Sequence, residues 1–311
     1  MPGLFEDLIS EGAPIVLDGG LATELEARGA KLHPSLWSAA HLHSDPEAIV
    51  RAHLAYLEAG ADCIISASYQ ATRKGLMSLG LSPDQADELI RRSVSLAEEA
   101  RQRFLAANPR SRRRILIAAS VGPYGAARQD GSEYVGAYGV PKTALREFHE
   151  QRLAILDAAG ADVLACETIP DFDEAAVLAE LLLSVRTPAW VSFSCRDDRH
   201  ISDGTPIREC AALFRDHPRV LALGVNCTAP QFITSLIGEL KNAVPEKAIV
   251  VYPNSGERYD AETNTWHGTS TPVECGDAAR GWQASGASII GGCCRMGPDH
   301  IRRIRERLAT G

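Results

Sequence analysis

The chain has 311 residues, 45% of them apolar, which is enough to bury the core of one large domain or two smaller ones. Its 32 Lys and Arg residues against 40 Asp and Glu residues give a formal net charge of −8, which argues against a nucleic-acid partner because such surfaces are basic. No stretch approaches the ~18 apolar residues of a membrane span and the N-terminus carries no secretory pattern, so we expect a cytoplasmic protein with no membrane partner.

Short apolar, β-branched segments recur along the whole chain. Most are continuously apolar and do not alternate with polar residues, which is typical of parallel strands buried on both faces. The predicted strands are residues 15–17, 63–66, 115–120, 163–166, 190–194, 220–225, 248–252 and 288–290.

Helical patterns lie between these strands. The clearest begins at Asp45, with Pro46 at the first helical position, and ends at Gly60. Residues 142–160 and the segment ending at Gly286 also finish on a glycine that leads through alanine to the next strand. These repeated units predict a single-domain (β/α)₈ TIM barrel over residues 1–311. A doubly wound open sheet is the alternative, although no G-x-G triplet marks a dinucleotide site.

Polar residues concentrate where the predicted strands end. In a TIM barrel, the carboxyl ends of the strands form the face that carries the active site. The informative ends are Asp18-Gly19-Gly20 after the first strand, Glu167 after the fourth, Asn226-Cys227 after the sixth and Cys293-Cys294 after the eighth.

Cys227, Cys293 and Cys294 predict a zinc site with one open position for a substrate thiol. A cytoplasmic chain keeps its eight cysteines reduced, so metal binding is a better use for these three than disulfides. Alternate strands supply the same layer of a barrel, and Gly291 and Gly292 relax the strand exit so that adjacent sulfurs can face one ion. The alternative is plain packing, which we assign to the other cysteines, Cys63, Cys166, Cys195, Cys210 and Cys275.

In segments that include these strand ends, the chain resembles the homocysteine S-methyltransferase family, most closely its short members that use S-methylmethionine. The matching segments are residues 17–29, 66–72, 120–125, 130–134, 165–168, 224–227, 252–257 and 291–295. The resemblance implies a (β/α)₈ barrel and one Zn²⁺ per chain on Cys227, Cys293 and Cys294. It implies methyl transfer from a sulfonium donor, S-methylmethionine or secondarily S-adenosylmethionine, to the homocysteine thiolate, giving methionine.

The remaining strand ends are expected to bind homocysteine. Asp18 and Glu167 are candidates for its ammonium group, and Thr23 could add a hydroxyl near the carboxylate. The backbone of Gly19 and Gly20 could approach that carboxylate closely. Asn226 is expected to orient a ligand or the neighbouring cysteine, with a turn-forming role as the alternative. The alternatives are an Asx turn for Asp18 and a structural ion pair for Glu167.

The loop after the third strand is expected to bind the donor, because a sulfonium favours aromatic faces and carboxylates. Its candidates are Tyr124, Glu133, Tyr134 and Tyr138, and Tyr69 and Trp37 elsewhere in the chain are further options. Ser255 and Glu257 are weaker candidates for binding homocysteine. His41 and His43 are interpreted as surface residues. The alternative functions are a methyltransferase of the same family acting on selenocysteine or selenohomocysteine, a zinc hydrolase, and a non-catalytic metal or redox protein.

Overall fold

Parallel strands follow one another around a barrel in a computed structural model that describes residues 3–33, 36–128, 130–256, 258–260, 265–267 and 270–309. Their order around the barrel is β1-β10-β7-β6-β5-β4-β3-β2, and a parallel bridge between Leu17 and Cys63 joins β1 to β2. The strands are β1 (Ile15–Val16), β2 (Cys63–Ile65), β3 (Leu116–Val121), β4 (Val163–Ile169), β5 (Ala189–Phe193), β6 (Val220–Asn226), β7 (Ala248–Tyr252) and β10 (Ile289–Ile290). The predicted (β/α)₈ TIM barrel is therefore confirmed.

Helices cover the outside of the barrel. Their bounds are α1 Leu4–Glu11, α2 Leu21–Ala27, α3 His41–Ser44, α4 Pro46–Ala59, α5 Arg73–Met77, α6 Pro83–Ala107, α7 Tyr124–Arg128, α8 Lys142–Asp157, α9 Phe172–Leu181, α10 Ile207–Ala212, α11 Ile233–Ala243, α12 Pro272–Ser285 and α13 Pro298–Ala309. An antiparallel hairpin of β8 (Arg258–Asp260) and β9 (Thr265–His267) precedes α12 and was not predicted. No described helix is long and apolar enough to cross a membrane.

The predicted helix ends form for the expected reasons. Asp45 accepts a hydrogen bond from the Ala48 N–H at 3.1 Å, which satisfies one of the free donors at the start of α4. Gly60 and Gly286 end α4 and α12 with φ of 109° and 113°, a conformation that glycine adopts without steric cost.

The barrel interior is a packed core and not a channel. Trp190 and Tyr252 fill it from β5 and β7, with ring centroids 6.4 Å apart. Phe5, on α1, closes the amino-terminal end of the barrel against Trp190 at 6.0 Å. The open end of the barrel is therefore the carboxyl end of the strands.

The surface interpretation of His41 is wrong, whereas His43 is exposed. His41 begins the short helix α3, which packs against α4 and α6, so this polar stretch turns one side inward. The packing assignment agrees with the positions of the other cysteines. Cys166 lies in the layer between barrel and helices, on the opposite face from Glu167.

Candidate active site

Three cysteine sulfurs meet at the carboxyl ends of β6 and β10. The Sγ atom of Cys294 lies 3.5 Å from that of Cys227 and 4.0 Å from that of Cys293. Cys227 follows β6 with a φ of 47°, which is uncommon for a residue with a Cβ atom and marks a strained turn out of the strand. No other cluster of three or more His, Cys, Asp or Glu ligand atoms this compact occurs in the described part of the chain.

The distances from the Cys294 sulfur to the other two sulfurs fit a tetrahedral metal ion. With Zn–S bonds of about 2.3 Å, two sulfurs of a tetrahedral site lie about 3.8 Å apart. The distances from Cys294 to its two neighbours, 3.5 and 4.0 Å, bracket that value. An all-sulfur donor set is one that zinc accepts readily. Cys294 is therefore placed to share a metal ion with each of the other two cysteines.

The structure joins Cys227 and Cys293 as a disulfide, and the other six cysteines are free. At this pair the structure differs from the expectation that all eight cysteines are reduced. The physical reason is proximity, since their Cα atoms are 5.6 Å apart, within the range that disulfides span. The convergence that suits a shared metal also lets the two sulfurs bond to each other. Metal binding by all three sulfurs therefore requires the reduced pair.

Gly291 and Gly292 are needed here because they have no side chain, and not because their backbone angles are unusual. Neither has a positive φ. A Cβ atom on Gly291 would lie 2.5 Å from the Leu17 side chain, and one on Gly292 would lie 2.7 Å from the side chain of Met296. The two glycines let the cysteine-bearing segment pass close to the end of β1, where the Gly292 N–H donates to the Asp18 carbonyl at 3.0 Å.

A cavity of about 620 Å³ opens beside the three sulfurs. This volume is in the range of small-molecule sites. Of the predicted site residues, Gly19, Gly20, Thr23, Glu167, Cys227, Cys293 and Cys294 line it. Trp37, Tyr69, Tyr134 and Ser255 line it as well. Asp18, Asn226, Glu133 and Tyr124 are not in its lining, and Glu257 lies outside the described residues.

Glu167 is a buried carboxyl group on the cavity wall. The Ser120 hydroxyl donates to its Oε1 atom, and the Tyr252 hydroxyl also hydrogen-bonds to it. Burial raises the pKa of Glu167 to about 7, although both hydroxyls act in the opposite direction. The group is therefore poised between its neutral and charged forms near neutral pH.

Asp18 lies just behind the cavity wall. Its Oδ2 atom accepts the Ile65 N–H at 2.8 Å, and its buried Oδ1 atom has no hydrogen-bond partner. Burial, and secondly the charge of Glu167, raise the pKa of Asp18 well above its usual range. Two buried acids close enough to repel each other favour a cation between or beside them.

Gly19, Gly20 and Thr23 contact the cysteine-bearing segment directly. A Cβ atom on Gly19 would lie 2.1 Å from the Met296 carbonyl oxygen. The Gly20 N–H donates to the same oxygen at 3.0 Å, and the Thr23 hydroxyl accepts the Arg295 N–H at 3.0 Å. The Gly20 N–H is thus engaged within the protein. The observed contacts of these residues position the loop that carries Cys293 and Cys294.

Asn226 is fully buried beneath Cys227. Its Oδ1 atom accepts the Thr168 N–H at 2.7 Å and the Ser192 hydroxyl at 2.8 Å, and its Nδ2 atom donates to the Thr168 hydroxyl at 2.7 Å. The amide therefore links the ends of β4, β5 and β6. Sequence reasoning missed Thr168, whose φ of 62° no sequence pattern predicts, and Tyr252, which is the last residue of β7.

The residues of the loop between β3 and α8 that are predicted to bind the donor lie in two different places. The Tyr134 hydroxyl hydrogen-bonds to the Cys294 sulfur, which opposes the effect of burial in raising the pKa of that thiol. Glu133 is buried beside Tyr134, its Oε2 atom has no partner, and burial raises its pKa. Tyr124 instead packs its ring against Tyr138 and Phe148, each 5.3 Å away, and lines a different cavity.

Comparison with known proteins identifies relatives of this barrel and its site. A family model described as homocysteine S-methyltransferase matches residues 15–308. Homocysteine S-methyltransferase YbgG of Bacillus subtilis is 52% identical over 93% of each chain, and homocysteine S-methyltransferase 4 of Zea mays is 53% identical over 96% of this chain and 90% of its own.

Solved structures give the same result. The metallated form of the homocysteine methyltransferase MmuM from Escherichia coli superposes with a TM-score of 0.87 at 45% identity, covering 97% of this chain and 99% of its own. Its oxidized form gives a TM-score of 0.86 at 46% identity, covering 94% and 96%.

Proposed function

The chain belongs to the homocysteine S-methyltransferase family, and from that membership we propose that it transfers a methyl group from a sulfonium donor to the thiol of homocysteine, giving methionine. The observation that carries the proposal is the three-sulfur cluster on the wall of a cavity that also contains Glu167. Residues 1–311 act in this proposal as one homocysteine-binding domain.

One zinc ion is proposed to bind Cys227, Cys293 and Cys294. The sulfur spacing supports this assignment, as does the metallated form of the E. coli relative. Zinc bound there would keep a substrate thiol deprotonated at neutral pH, where a free thiol with a pKa of about 8.5 is mostly protonated.

The protein's acidic groups are proposed to hold the homocysteine ammonium. Glu167 faces the cavity, and the free Oδ1 atom of Asp18 lies behind it. An ammonium group bound between them would relieve their mutual repulsion and favour their charged forms. Thr23, with the backbone of Gly19 and Gly20, lies on the same wall as the cysteines and would border the homocysteine carboxylate. Asn226 acts indirectly, through the positions of Thr168 and Cys227.

The donor is proposed to enter on the side of the β3–α8 loop. Tyr134, Tyr69 and Trp37 offer aromatic faces to a sulfonium, and the unpartnered carboxylate oxygen of Glu133 offers a counter-charge. Tyr124 has no place in this arrangement because its ring lies in the other cavity.

The proposed transfer is a single displacement. The sulfur of homocysteine forms a bond to the donor methyl carbon, the carbon–sulfur bond of the sulfonium breaks, and its electron pair stays on the donor sulfur. An anionic sulfur and a cationic sulfonium become two neutral thioethers, so the opposite charges of the two reactants cancel along the reaction. A cavity wall that excludes water therefore favours the transition state over the charged reactants.

S-methylmethionine is the proposed donor and S-adenosylmethionine a slower second one. The test is a panel of S-methylmethionine, S-adenosylmethionine and betaine with homocysteine, using reduced, zinc-loaded protein and measuring methionine. Methionine from S-methylmethionine at the highest kcat/KM supports the proposal, and none from either sulfonium rules it out. Selenocysteine as acceptor in the same assay tests the alternative of a selenol substrate. A zinc hydrolase is less well supported because its metal site usually contains histidine or carboxylate ligands.

A further inference from the structure

A fully buried carboxylate on α9 holds the β3–α8 loop from outside the barrel. The Oε1 atom of Glu174 accepts the Tyr124 main-chain N–H at 2.5 Å and a hydrogen bond from His149 Nε2 at 2.7 Å. Its Oε2 atom accepts the Tyr138 hydroxyl at 2.8 Å. The side chains of Glu174 and His149 are both fully buried. One carboxylate thus binds the loop near its beginning and near its end.

Two neighbouring charged groups add further attachments to the same loop. Arg152, one turn beyond His149 on α8, donates from Nη2 to the carbonyl oxygen of Gly122 at the end of β3. Asp171 accepts the Ala137 N–H at 2.8 Å through Oδ2, while its Oδ1 atom accepts the Glu174 N–H at 3.0 Å. The stretches 122–124 and 137–138 are therefore tied to α8 and to the start of α9 by four hydrogen bonds in all.

The part of the loop between these attachments reaches the sulfur cluster. Tyr134 hydrogen-bonds to Cys294, and the carbonyl oxygen of Glu133 accepts the Ser194 hydroxyl at 3.2 Å. Gly125 leaves no room for a side chain, since a Cβ atom there would lie 2.5 Å from the Glu133 nitrogen. The loop is thus folded tightly onto itself, and the positions of Glu133 and Tyr134 follow from the positions of its ends.

The buried charges of Arg152 and Glu174 attract each other. Burial lowers the pKa of His149, so the ring is neutral and donates its Nε2 proton to the carboxylate. Arg152 and Glu174 then carry opposite charges within one buried group. Removing one hydrogen-bond donor from a buried carboxylate costs free energy, because no water molecule can replace the lost donor. This cost favours the conformation in which the loop stays attached to Glu174.

We propose that Glu174, together with His149 and Arg152, is a positioning cluster that sets the β3–α8 loop so that Tyr134 meets the methyl donor beside Cys294. None of the three touches the proposed substrates, so none is a catalytic residue. The inference rests on the proposed function only in assigning donor binding to this side of the cavity.

Tyr138→Phe tests the proposal with Tyr124→Phe as its matched control. The first substitution removes a hydroxyl that donates to Glu174. The second removes a hydroxyl from a residue that reaches Glu174 through its main-chain N–H, so the contact remains. Loss of one hydrogen bond to a charged group corresponds to about a tenfold change in a local opening equilibrium.

Hydrogen exchange followed by mass spectrometry should show about tenfold faster exchange in residues 130–138 of Tyr138→Phe and unchanged exchange in those of Tyr124→Phe. In Tyr138→Phe the KM for S-methylmethionine should rise by about tenfold while the KM for homocysteine stays within about twofold of wild type. Unchanged loop exchange in Tyr138→Phe, or an equal increase in both variants, would overturn the positioning role. Absence of any sulfonium-dependent activity in the wild type would instead contradict the proposed function. The hydrogen-exchange result would then still test whether Glu174 holds the loop.

Discussion

The side chain of Asn226 forms two hydrogen bonds with Thr168, one through each end of its amide group. Its Oδ1 atom accepts the Thr168 N–H and its Nδ2 atom donates to the Thr168 hydroxyl, both at 2.7 Å. Thr168 is held in the left-handed region, with φ of 62°, directly after Glu167. Asn226 itself directly precedes Cys227. One buried amide therefore fixes the relative positions of the proposed ammonium-binding acid and the first of the proposed metal ligands.

Asn226→Ala should weaken both halves of the site together. The substitution leaves the buried Thr168 N–H without a partner and removes one hydrogen bond from the Thr168 hydroxyl, at a cost of about 2–4 kcal/mol in the free energy of unfolding. Thr168 then relaxes toward negative φ and moves Glu167, so the KM for homocysteine rises. Urea denaturation and steady-state kinetics measure the two effects.

Ser192→Ala is the control for this prediction. It removes one hydrogen bond to the same amide oxygen and one with the Tyr252 hydroxyl, but leaves both contacts with Thr168 in place. Its effect on the KM for homocysteine should be clearly smaller than that of Asn226→Ala. Equal effects of the two substitutions would show that the Thr168 contact has no special importance.

The barrel and its sulfur cluster were predictable because they depend on local pattern and strand order. Continuous apolar segments identify parallel strands, and strand ends place Cys227, Cys293 and Cys294 at one face. The contact between Asn226 and Thr168 was not predictable, since it depends on the distance between two strand ends and on a backbone angle that threonine rarely adopts.

Tyr124 shows a second limit of the sequence. Its position after β3 predicts a place at the mouth, but α7 starts at once and turns its ring outward to Phe148. Tyr134, on the same loop, does reach Cys294. The difference lies in how the loop folds onto α8 and α9, through contacts such as those of Glu174, and these are set by tertiary packing.

Homocysteine binding should depend on pH through Glu167. Its pKa is raised to about 7, so the carboxyl is neutral below that pH and charged above it. An ammonium group needs the charged form, so kcat/KM for homocysteine should rise as pH increases through about 7. Glu167→Gln should remove this inflection and raise the KM about tenfold or more, while zinc content stays the same. Persistence of the inflection in Glu167→Gln would assign it to another group, such as the substrate thiol.

Gly19→Ala should disturb the metal site although no ligand changes. Its new Cβ atom would lie 2.1 Å from the Met296 carbonyl oxygen, which forces the segment after Cys294 to move. We expect zinc affinity to fall at least tenfold and stability to drop by about 1–3 kcal/mol. Gly297→Ala is the matched control, because a Cβ atom there meets nothing within 4 Å. Competition with a chromogenic chelator measures the affinity, and equal zinc affinities in the two variants would contradict the packing role.

The pairing of Cys227 with Cys293 should make metal binding depend on redox state. Denatured protein in the oxidised state should give six free thiols by titration, and reduced protein should give eight. Only the reduced protein should bind zinc, with release of protons from its thiols. Stoichiometric zinc binding by the oxidised protein would show that Cys227 and Cys293 are not both ligands.

The central claim is that zinc on Cys227, Cys293 and Cys294 supports methyl transfer to homocysteine. The most direct measurement uses homocysteine labelled with a heavy sulfur isotope, unlabelled S-methylmethionine, and mass spectrometry of the methionine formed. Reduced, zinc-loaded protein should give heavy methionine, chelator-stripped protein none, and re-addition of zinc should restore it. Cys294→Ala should stay folded by circular dichroism, lose its zinc and give no heavy methionine. Heavy methionine at an undiminished rate from the stripped protein, or from Cys294→Ala, would contradict the account.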